Sequence, residues 1–150
     1  MTPDLVLADL DPADSALLIL AGATMWDVGG GAPFLAAAKR FLDAGVPVAA
    51  ICGATAGLAM AGMLDDRDHT SAAPEYLAAT GYAGGGRYVA DARAVVDGDL
   101  ITAGPQSPVH FARATLGRLG LMSAPVLDAY EGVFHRGDPT AFHALMAATA

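Results

Sequence analysis

Residues 47–64, PVAAICGATAGLAMAGML, decide the fold of this chain because they join a strand pattern to a helix pattern without a loop. The apolar run over residues 46–51 predicts a buried strand, and the small and apolar residues of 54–63 predict a helix. Cys52, the only cysteine in the sequence, stands at the junction. A strand that passes directly into a helix is typical of α/β folds.

Strand and helix patterns alternate along the rest of the chain. Residues 16–21, ALLILA, form a continuous apolar run of the kind found in a strand buried on both faces of a parallel sheet. The stretch 87–104 predicts extended segments around an Asp97-Gly98 turn. Strands are also expected near 69–71 and over 100–103, and helices over 33–44, 74–80, 107–118, 122–134 and 139–148. This alternation predicts a mostly parallel sheet with helices on both faces.

Composition excludes several classes of function. The 150 residues suit one domain, and the net charge of −8 disfavours nucleic acid and anionic membrane surfaces, since like charges repel. No apolar run approaches the roughly eighteen residues that span a bilayer. The acidic N-terminal segment lacks the basic start of a secretory signal, so we expect a cytoplasmic protein. One cysteine and four histidines without helical i,i+4 spacing predict no disulfide and no metal site, and no cofactor is indicated.

Cys52 has two interpretations at this position. A ligand site in an open α/β sheet lies beyond the carboxyl ends of the strands, and the start of a helix stabilises a thiolate there. The order of strand, nucleophile, small residue (Gly53) and helix is that of a nucleophile elbow. Alternatively, Cys52 is a small buried hydrophobe at a strand end. Position alone leaves both open.

Three stretches of the sequence resemble the DJ/PfpI family of the class I glutamine amidotransferase-like superfamily. They are LLILAGATMW at 17–26, VPVAAICGATAGLAMAGMLDDRDHTS at 46–71 and DGDLITAGPQSPVHFA at 97–112. The resemblance implies a flavodoxin-like three-layer α/β sandwich with a mostly parallel sheet. Members of this family include hydrolases, glyoxalase-like enzymes, stress-protection proteins and redox sensors, so the resemblance identifies the family rather than the activity.

The resemblance also implies roles for particular residues. Cys52 matches the nucleophile of the family. The backbone amides of Gly22 or Ala23, and of Gly53 or Ala54, would hold an oxyanion that faces this cysteine.

The segment after the first predicted strand departs from the family pattern at residues 21–23 and keeps it at Trp26. Ala21-Gly22-Ala23 stands where the family usually has Pro-Gly-Gly, so Ala23 adds a side chain where the backbone is normally bare. Trp26 is kept, either as part of the substrate-binding loop or as a packing anchor for that loop.

The N-terminal part of the family fold has no counterpart in this sequence. The family usually begins with a strand-helix-strand unit before the segment that matches residues 3–22, and its first strand often ends in a glutamate that hydrogen-bonds the cysteine. We therefore expect a single DJ/PfpI-like domain over residues 1–150 that is N-terminally truncated relative to the family. Without the flanking strands, the strand at 16–21 would be an uncovered apolar edge.

The histidine partner of Cys52 is the least defined part of the predicted site. Some relatives carry a histidine directly after the cysteine, where this chain has Gly53, and others carry one where this chain has Ala72. His69 is the nearest candidate, as a base or an ion-pair partner. A solvated or hydrogen-bonded loop histidine is the alternative.

Three weaker candidates remain outside this predicted pair. Asp27 and Asp91 could orient a histidine or bind substrate, although capping of a loop explains both equally well. His110 follows the AGPQSP segment, which lies close to the active-site rim in relatives.

Together these points predict a cysteine-dependent DJ/PfpI-type enzyme that acts on a small carbonyl or amide substrate through Cys52. Such an enzyme would be a hydrolase, amidotransferase-like or glyoxalase-like. Two alternatives stay open: a non-catalytic stress-response or redox-sensing protein that uses oxidation of Cys52, and an inactive family fragment. We expect a small-molecule substrate, no nucleic-acid or membrane partner, and a homodimer, which many relatives form.

Overall fold

A four-stranded sheet forms the centre of the molecule, whose computed structural model describes residues 2–149. The strands are β1 (Leu18–Leu20), β2 (Val48–Ile51), β3 (Ala94–Asp97) and β4 (Leu100–Ala103), arranged in the order β1-β2-β4-β3. β1, β2 and β4 are parallel, and β3 runs antiparallel to β4. β3 and β4 are joined at Gly98, whose φ of 59° is one that glycine adopts freely, so the predicted turn is confirmed.

Within the described residues, six α-helices accompany the sheet. They are α1 (Ala32–Asp43), α2 (Gly53–Met60), α3 (Pro74–Ala78), α4 (Pro108–Arg118), α5 (Ala124–Phe134) and α6 (Pro139–Thr149). All except α2 carry a proline in their first two positions. Proline suits that position because the first N–H groups of a helix have no partner within the helix.

The helices form two layers around the sheet. α1 and α2 contact each other and β2, and α1 also packs on β1. α4 packs across β2, β3 and β4, while α5 covers α4 and α6 packs on α5. This arrangement confirms the predicted α/β sandwich with its mostly parallel sheet.

The core between β2 and α2 is built from small side chains. Ala50 and Ala54 are fully buried, and Leu58 on α2 is equally inaccessible. Alanine allows the helix to approach the sheet closely, and close packing of the interior then requires few large residues. The close approach brings the first turn of α2 to the carboxyl end of β2, which is where Cys52 lies.

β1 departs from the prediction that residues 16–21 are buried on both faces. Ile19 is 53% exposed, whereas Leu20 beside it is buried. Ile19 and Leu20 point to opposite faces of β1, and only the face of Leu20 is covered at this strand. Within residues 2–149, β1 is the terminal strand of the sheet, paired with β2 on one side only. The homodimer expected from the sequence remains a prediction.

Two smaller expectations also need correction. The strand predicted near 69–71 is reduced to a single bridge between His69 and Tyr88. The helix predicted over 54–63 ends at Met60, and the chain then turns at Gly62, whose φ is 70°. Within residues 2–149, no helix is long and apolar enough to cross a membrane.

Candidate active site around Cys52

Cys52 occupies a strained turn between β2 and α2. Its φ of 61° and ψ of −131° make it the only non-glycine residue with a positive φ within residues 2–149. Such a conformation costs about 1–3 kcal/mol and persists only where the surroundings impose it. The Cys52 N–H donates to the carbonyl of Ala103 on β4 at 3.1 Å, which ties the turn to the sheet.

Two buried hydroxyl groups hold the other side of this turn. Thr55 donates through Oγ1 to the Cys52 carbonyl at 2.6 Å and through its N–H at 3.0 Å. Thr55 Oγ1 also lies 2.6 Å from Ser71 Oγ. Because the single hydroxyl hydrogen of Thr55 is already donated, Ser71 is the donor in this second bond. The sequence analysis missed both residues, since nothing in the pattern shows that Ser71 reaches α2.

Gly22 lies directly against the thiol. A Cβ added at Gly22 would be 2.7 Å from Cys52 Cβ and 3.2 Å from Cys52 Sγ. Only glycine fits at such a distance, so the backbone of the 21–23 loop approaches the sulfur as closely as a chain can. Gly22 therefore lies beside Cys52, and its part in holding an oxyanion stays a prediction.

Trp26 anchors the 21–23 loop by packing and by a hydrogen bond. Its ring is 3% exposed and its indole N–H donates to the carbonyl of Ala21 at 2.9 Å. Two glycines lie against the ring. A Cβ added at Gly31 would be 2.3 Å from the nearest ring atom, and one added at Gly57 would be 2.5 Å from its own nearest ring atom. Trp26 does not line the cavity at Cys52, so the structure favours the packing role over contact with substrate.

The thiol opens onto a cavity of about 440 Å³, which we call the Cys52 cavity. Cys52 is half-buried. The cavity is lined by Gly22, Ala23, Thr24, Asp27, Ile51, Cys52, Gly53, Tyr76 and Pro105. Gly22, Ala23 and Gly53 thus reach the predicted site, whereas Ala54 is fully buried and does not line it.

Gly53 is the first residue of α2, and the first N–H groups of an α-helix have no acceptor within the helix. Its amide therefore belongs to the positive end of the helix dipole, beside the sulfur. An added Cβ at Gly53 would lie 3.0 Å from the Ala23 carbonyl oxygen, so the loop and the helix start are in close contact.

A hydrogen-bonded pair, which we call the Asp27–Tyr76 pair, also lines the cavity. The Tyr76 hydroxyl donates to Asp27 Oδ1 at 2.6 Å. Burial, this hydrogen bond and the negative charge of Asp27 raise the pKa of Tyr76 to about 12, and the charge of the Cys52 thiolate acts in the same direction. Asp27 was a weak candidate from sequence, and Tyr76, on α3, was not a candidate.

His69 lies in a different environment from the one predicted. It is fully buried, and its Nδ1 lies 2.7 Å from the carbonyl oxygen of Arg67. Since a carbonyl only accepts, Nδ1 carries a hydrogen. Nε2 lies 2.9 Å from the Tyr82 hydroxyl. Both ring nitrogens are engaged away from Cys52, and His69 does not line the Cys52 cavity, so the geometry does not support its predicted role as proton partner.

The other weak candidates lie elsewhere. Asp91 lines a separate cavity of about 360 Å³ with Arg93. His110, on α4, makes an edge-to-face contact with His135, with ring centroids 4.3 Å apart, and burial followed by the charge of His135 lowers the pKa of His110. Within residues 2–149 no group of three or more histidine, cysteine or carboxylate side chains is placed to hold a metal ion.

Comparison with known proteins places this chain in one family. The sequence profile of the DJ-1/PfpI family matches residues 1–118. The chain belongs to the DJ-1/PfpI family. It is 33% identical over 152 residues to a Bacillus subtilis protein named "uncharacterized protease YoaZ", with 96% of this chain and 69% of that protein covered.

Solved structures support the assignment of a DJ-1/PfpI fold. A thiJ/pfpI family protein from Bacillus anthracis is 34% identical, with a TM-score of 0.90 over 99% of this chain and 70% of that one. A DJ-1 superfamily protein from Agrobacterium tumefaciens is 35% identical, with a TM-score of 0.78 over 88% of this chain and 72% of that one. The flavodoxin-like fold implied by the sequence resemblance is thereby confirmed.

Proposed function

We propose that this protein is a cysteine-dependent DJ-1/PfpI enzyme that acts on a small carbonyl or amide compound through Cys52. The observation that carries the proposal is the strained turn at Cys52, which directs a half-buried thiol into a cavity of about 440 Å³. Strain of this kind concentrates at functional sites, because packing alone gives no reason to keep a side chain at a positive φ. A cysteine that served only as a core residue would sit there without strain in another conformation.

The backbone around Cys52 suits addition to a carbonyl group. The thiolate forms a bond to the carbonyl carbon, and the π electron pair of the carbonyl moves onto its oxygen. The Gly53 amide and the backbone of Gly22 and Ala23 lie beside the sulfur, where the oxyanion would develop. With an aldehyde, the oxyanion takes a proton from water to give a hemithioacetal. With an amide, the C–N bond breaks, the amine leaves with a proton, and water then hydrolyses the thioester.

A second candidate is a redox-responsive protein that does not turn over a substrate. The residues that line the Cys52 cavity include neither histidine nor glutamate, the two proton partners that the family resemblance implies. Oxidation needs only an accessible thiolate and a peroxide. The sulfur attacks one peroxide oxygen, the O–O bond breaks, and sulfenic acid and water result.

The proposal is tested by the rate of Cys52 alkylation with iodoacetamide in the folded protein, read by intact mass. We expect the folded protein to be labelled, because Cys52 is half-buried and its thiol opens onto the cavity. Carbonyl and amide compounds are then screened, with Cys52→Ser as the control that must lose all turnover.

The outcomes separate the two candidates. Turnover that disappears in Cys52→Ser supports the enzyme. Stoichiometric oxidation of Cys52 by hydrogen peroxide without turnover of any compound supports the redox protein. A thiol that reacts only after unfolding contradicts both.

A further inference from the structure

We propose that the Asp27–Tyr76 pair is the specificity subsite of the Cys52 cavity. It selects neutral or cationic substrates that carry an N–H or O–H donor and disfavours anionic ones. This inference rests on the proposed function, because it concerns compounds that react at Cys52. It names the class of substrate that the cavity accepts.

The hydrogen bonding of the pair leaves its free atoms as acceptors. Tyr76 uses its only hydroxyl hydrogen on Asp27 Oδ1 at 2.6 Å. Asp27 Oδ2 and the remaining lone pairs of both residues can then only accept hydrogen bonds. A ligand that fills the cavity therefore meets acceptors at this end and must supply the donors.

The charges that line the cavity point in the same direction. Asp27 is the only carboxylate among the residues that line it, and these residues include no lysine, arginine or histidine. The negative charge of Tyr76 is suppressed, so the hydroxyl stays a neutral donor to Asp27 at physiological pH. A carboxylate or phosphate group on a substrate would meet both Asp27 and the thiolate of Cys52 without a compensating cation. An ammonium, amide or hydroxyl group would instead complete the pair's hydrogen bonds.

Two thiol reagents of similar size test the charge preference of the Cys52 cavity, and neither requires a known substrate. They are the 2-aminoethyl and the 2-sulfonatoethyl methanethiosulfonates, which are cationic and anionic. The thiolate attacks the sulfenyl sulfur, a disulfide forms, and methanesulfinate leaves. The ratio of the two rate constants on one protein cancels the thiolate fraction, so it reports the charge of the cavity rather than the pKa of Cys52. The neutral thiol 2-mercaptoethanol supplies the reference ratio.

We expect the cationic-to-anionic ratio for the folded protein to exceed the reference by about tenfold, the effect of 1.4 kcal/mol. Asp27→Asn should remove most of this excess, and Asp27→Glu should keep it. Asp66→Asn is the matched control, since it removes the same charge but lines a separate cavity with Lys39 and Arg67. That variant should leave the ratio unchanged.

Three results would overturn the inference. A wild-type ratio equal to the reference, with fast labelling at neutral pH, removes the subsite and leaves the proposed function standing. Equal changes in Asp27→Asn and Asp66→Asn show that net charge of −8, not the pair, sets the preference. Labelling by neither reagent until the protein unfolds contradicts both the subsite and the proposed function.

Discussion

Cys52 and His69 form the predicted catalytic pair, yet they lie in opposite environments. Cys52 is half-buried, has a φ of 61° and faces an open cavity. His69 is fully buried, and both of its ring nitrogens have partners, Arg67 and Tyr82. A reactive group needs exposure and a conformation imposed on it, whereas a group that is buried and fully hydrogen-bonded stabilises the fold. The difference teaches that the surroundings of His69 are those of a residue that stabilises the fold, whereas those of Cys52 suit a reactive group.

The largest effect is expected from His69→Ala, which should lower the free energy of unfolding by about 2–4 kcal/mol. The substitution leaves a cavity and removes the buried partner of the Tyr82 hydroxyl. Urea denaturation measures the loss. The rate of Cys52 alkylation in the folded protein should stay within twofold of the wild-type rate.

His143→Ala is the control for this variant, because His143 is exposed on α6 and its loss should change stability by less than about 0.5 kcal/mol. The contrast between Cys52 and His69 is contradicted if His69→Ala leaves the free energy of unfolding unchanged but slows alkylation of Cys52 tenfold. In that case His69 acts on Cys52 in solution.

A smaller effect is expected at Cys52 itself. Cys52→Gly should be more stable than Cys52→Ala by about 1 kcal/mol, because glycine adopts a φ of 61° without strain although it loses more entropy on folding. Denaturation of the two variants under the same conditions measures the difference. Ala50→Gly in β2, where the backbone is regular, should instead be less stable than wild type. If Cys52→Gly is less stable than Cys52→Ala, the backbone at residue 52 is not strained.

The smallest effect concerns the two tyrosines, one in each environment. Burial is the main cause that raises the pKa of both, and Tyr76 reaches about 12. Phenolate absorbance should show that Asp27→Asn lowers the pKa of Tyr76 towards 10 and leaves that of Tyr82 unchanged, with Tyr76→Phe identifying the signal. An unshifted Tyr76 would mean that the pair does not form in solution.

The same shift predicts how stability depends on pH. Between about pH 10 and 12 the unfolded chain has lost the Tyr76 proton while the folded chain retains it. The unfolded state then binds fewer protons, so the contribution of Tyr76 to stability is present below pH 10 and is lost as the pH rises towards 12. Asp27→Asn should narrow the pH range over which this contribution is lost, because it brings the pKa of Tyr76 in the folded chain closer to that in the unfolded chain.

The features that the sequence predicts correctly are ones whose signal is local. The alternation of apolar runs and helix patterns correctly predicts the α/β sandwich, and the Asp97-Gly98 turn is in its predicted place. The position of Cys52 between β2 and α2 follows from residues 46–63 alone, because strand and helix periodicity change there. The chemical role of Cys52 remains a prediction until the thiol is titrated.

Features that depend on distant segments could not be predicted. Only the tertiary structure shows that Ser71 donates to Thr55, whose hydroxyl in turn holds the Cys52 carbonyl, since sixteen residues separate Thr55 from Ser71 in sequence. The same holds for Tyr76 and Asp27, which are forty-nine residues apart. Such hydrogen bonds produce no periodic pattern in the sequence. Each depends on how two elements pack against each other, not on the residue pattern within either element.

By itself, the sequence determined the family, the order of the elements and the turn that carries Cys52. Tertiary structure alone decided which polar residues meet that cysteine. It directs His69 into the core, brings Asp27 and Tyr76 to the Cys52 cavity and leaves Ile19 exposed on the edge strand. The physical reason is that hydrophobic periodicity is a property of neighbours along the chain. A site is instead assembled by side chains that the sheet and the helices bring together across it.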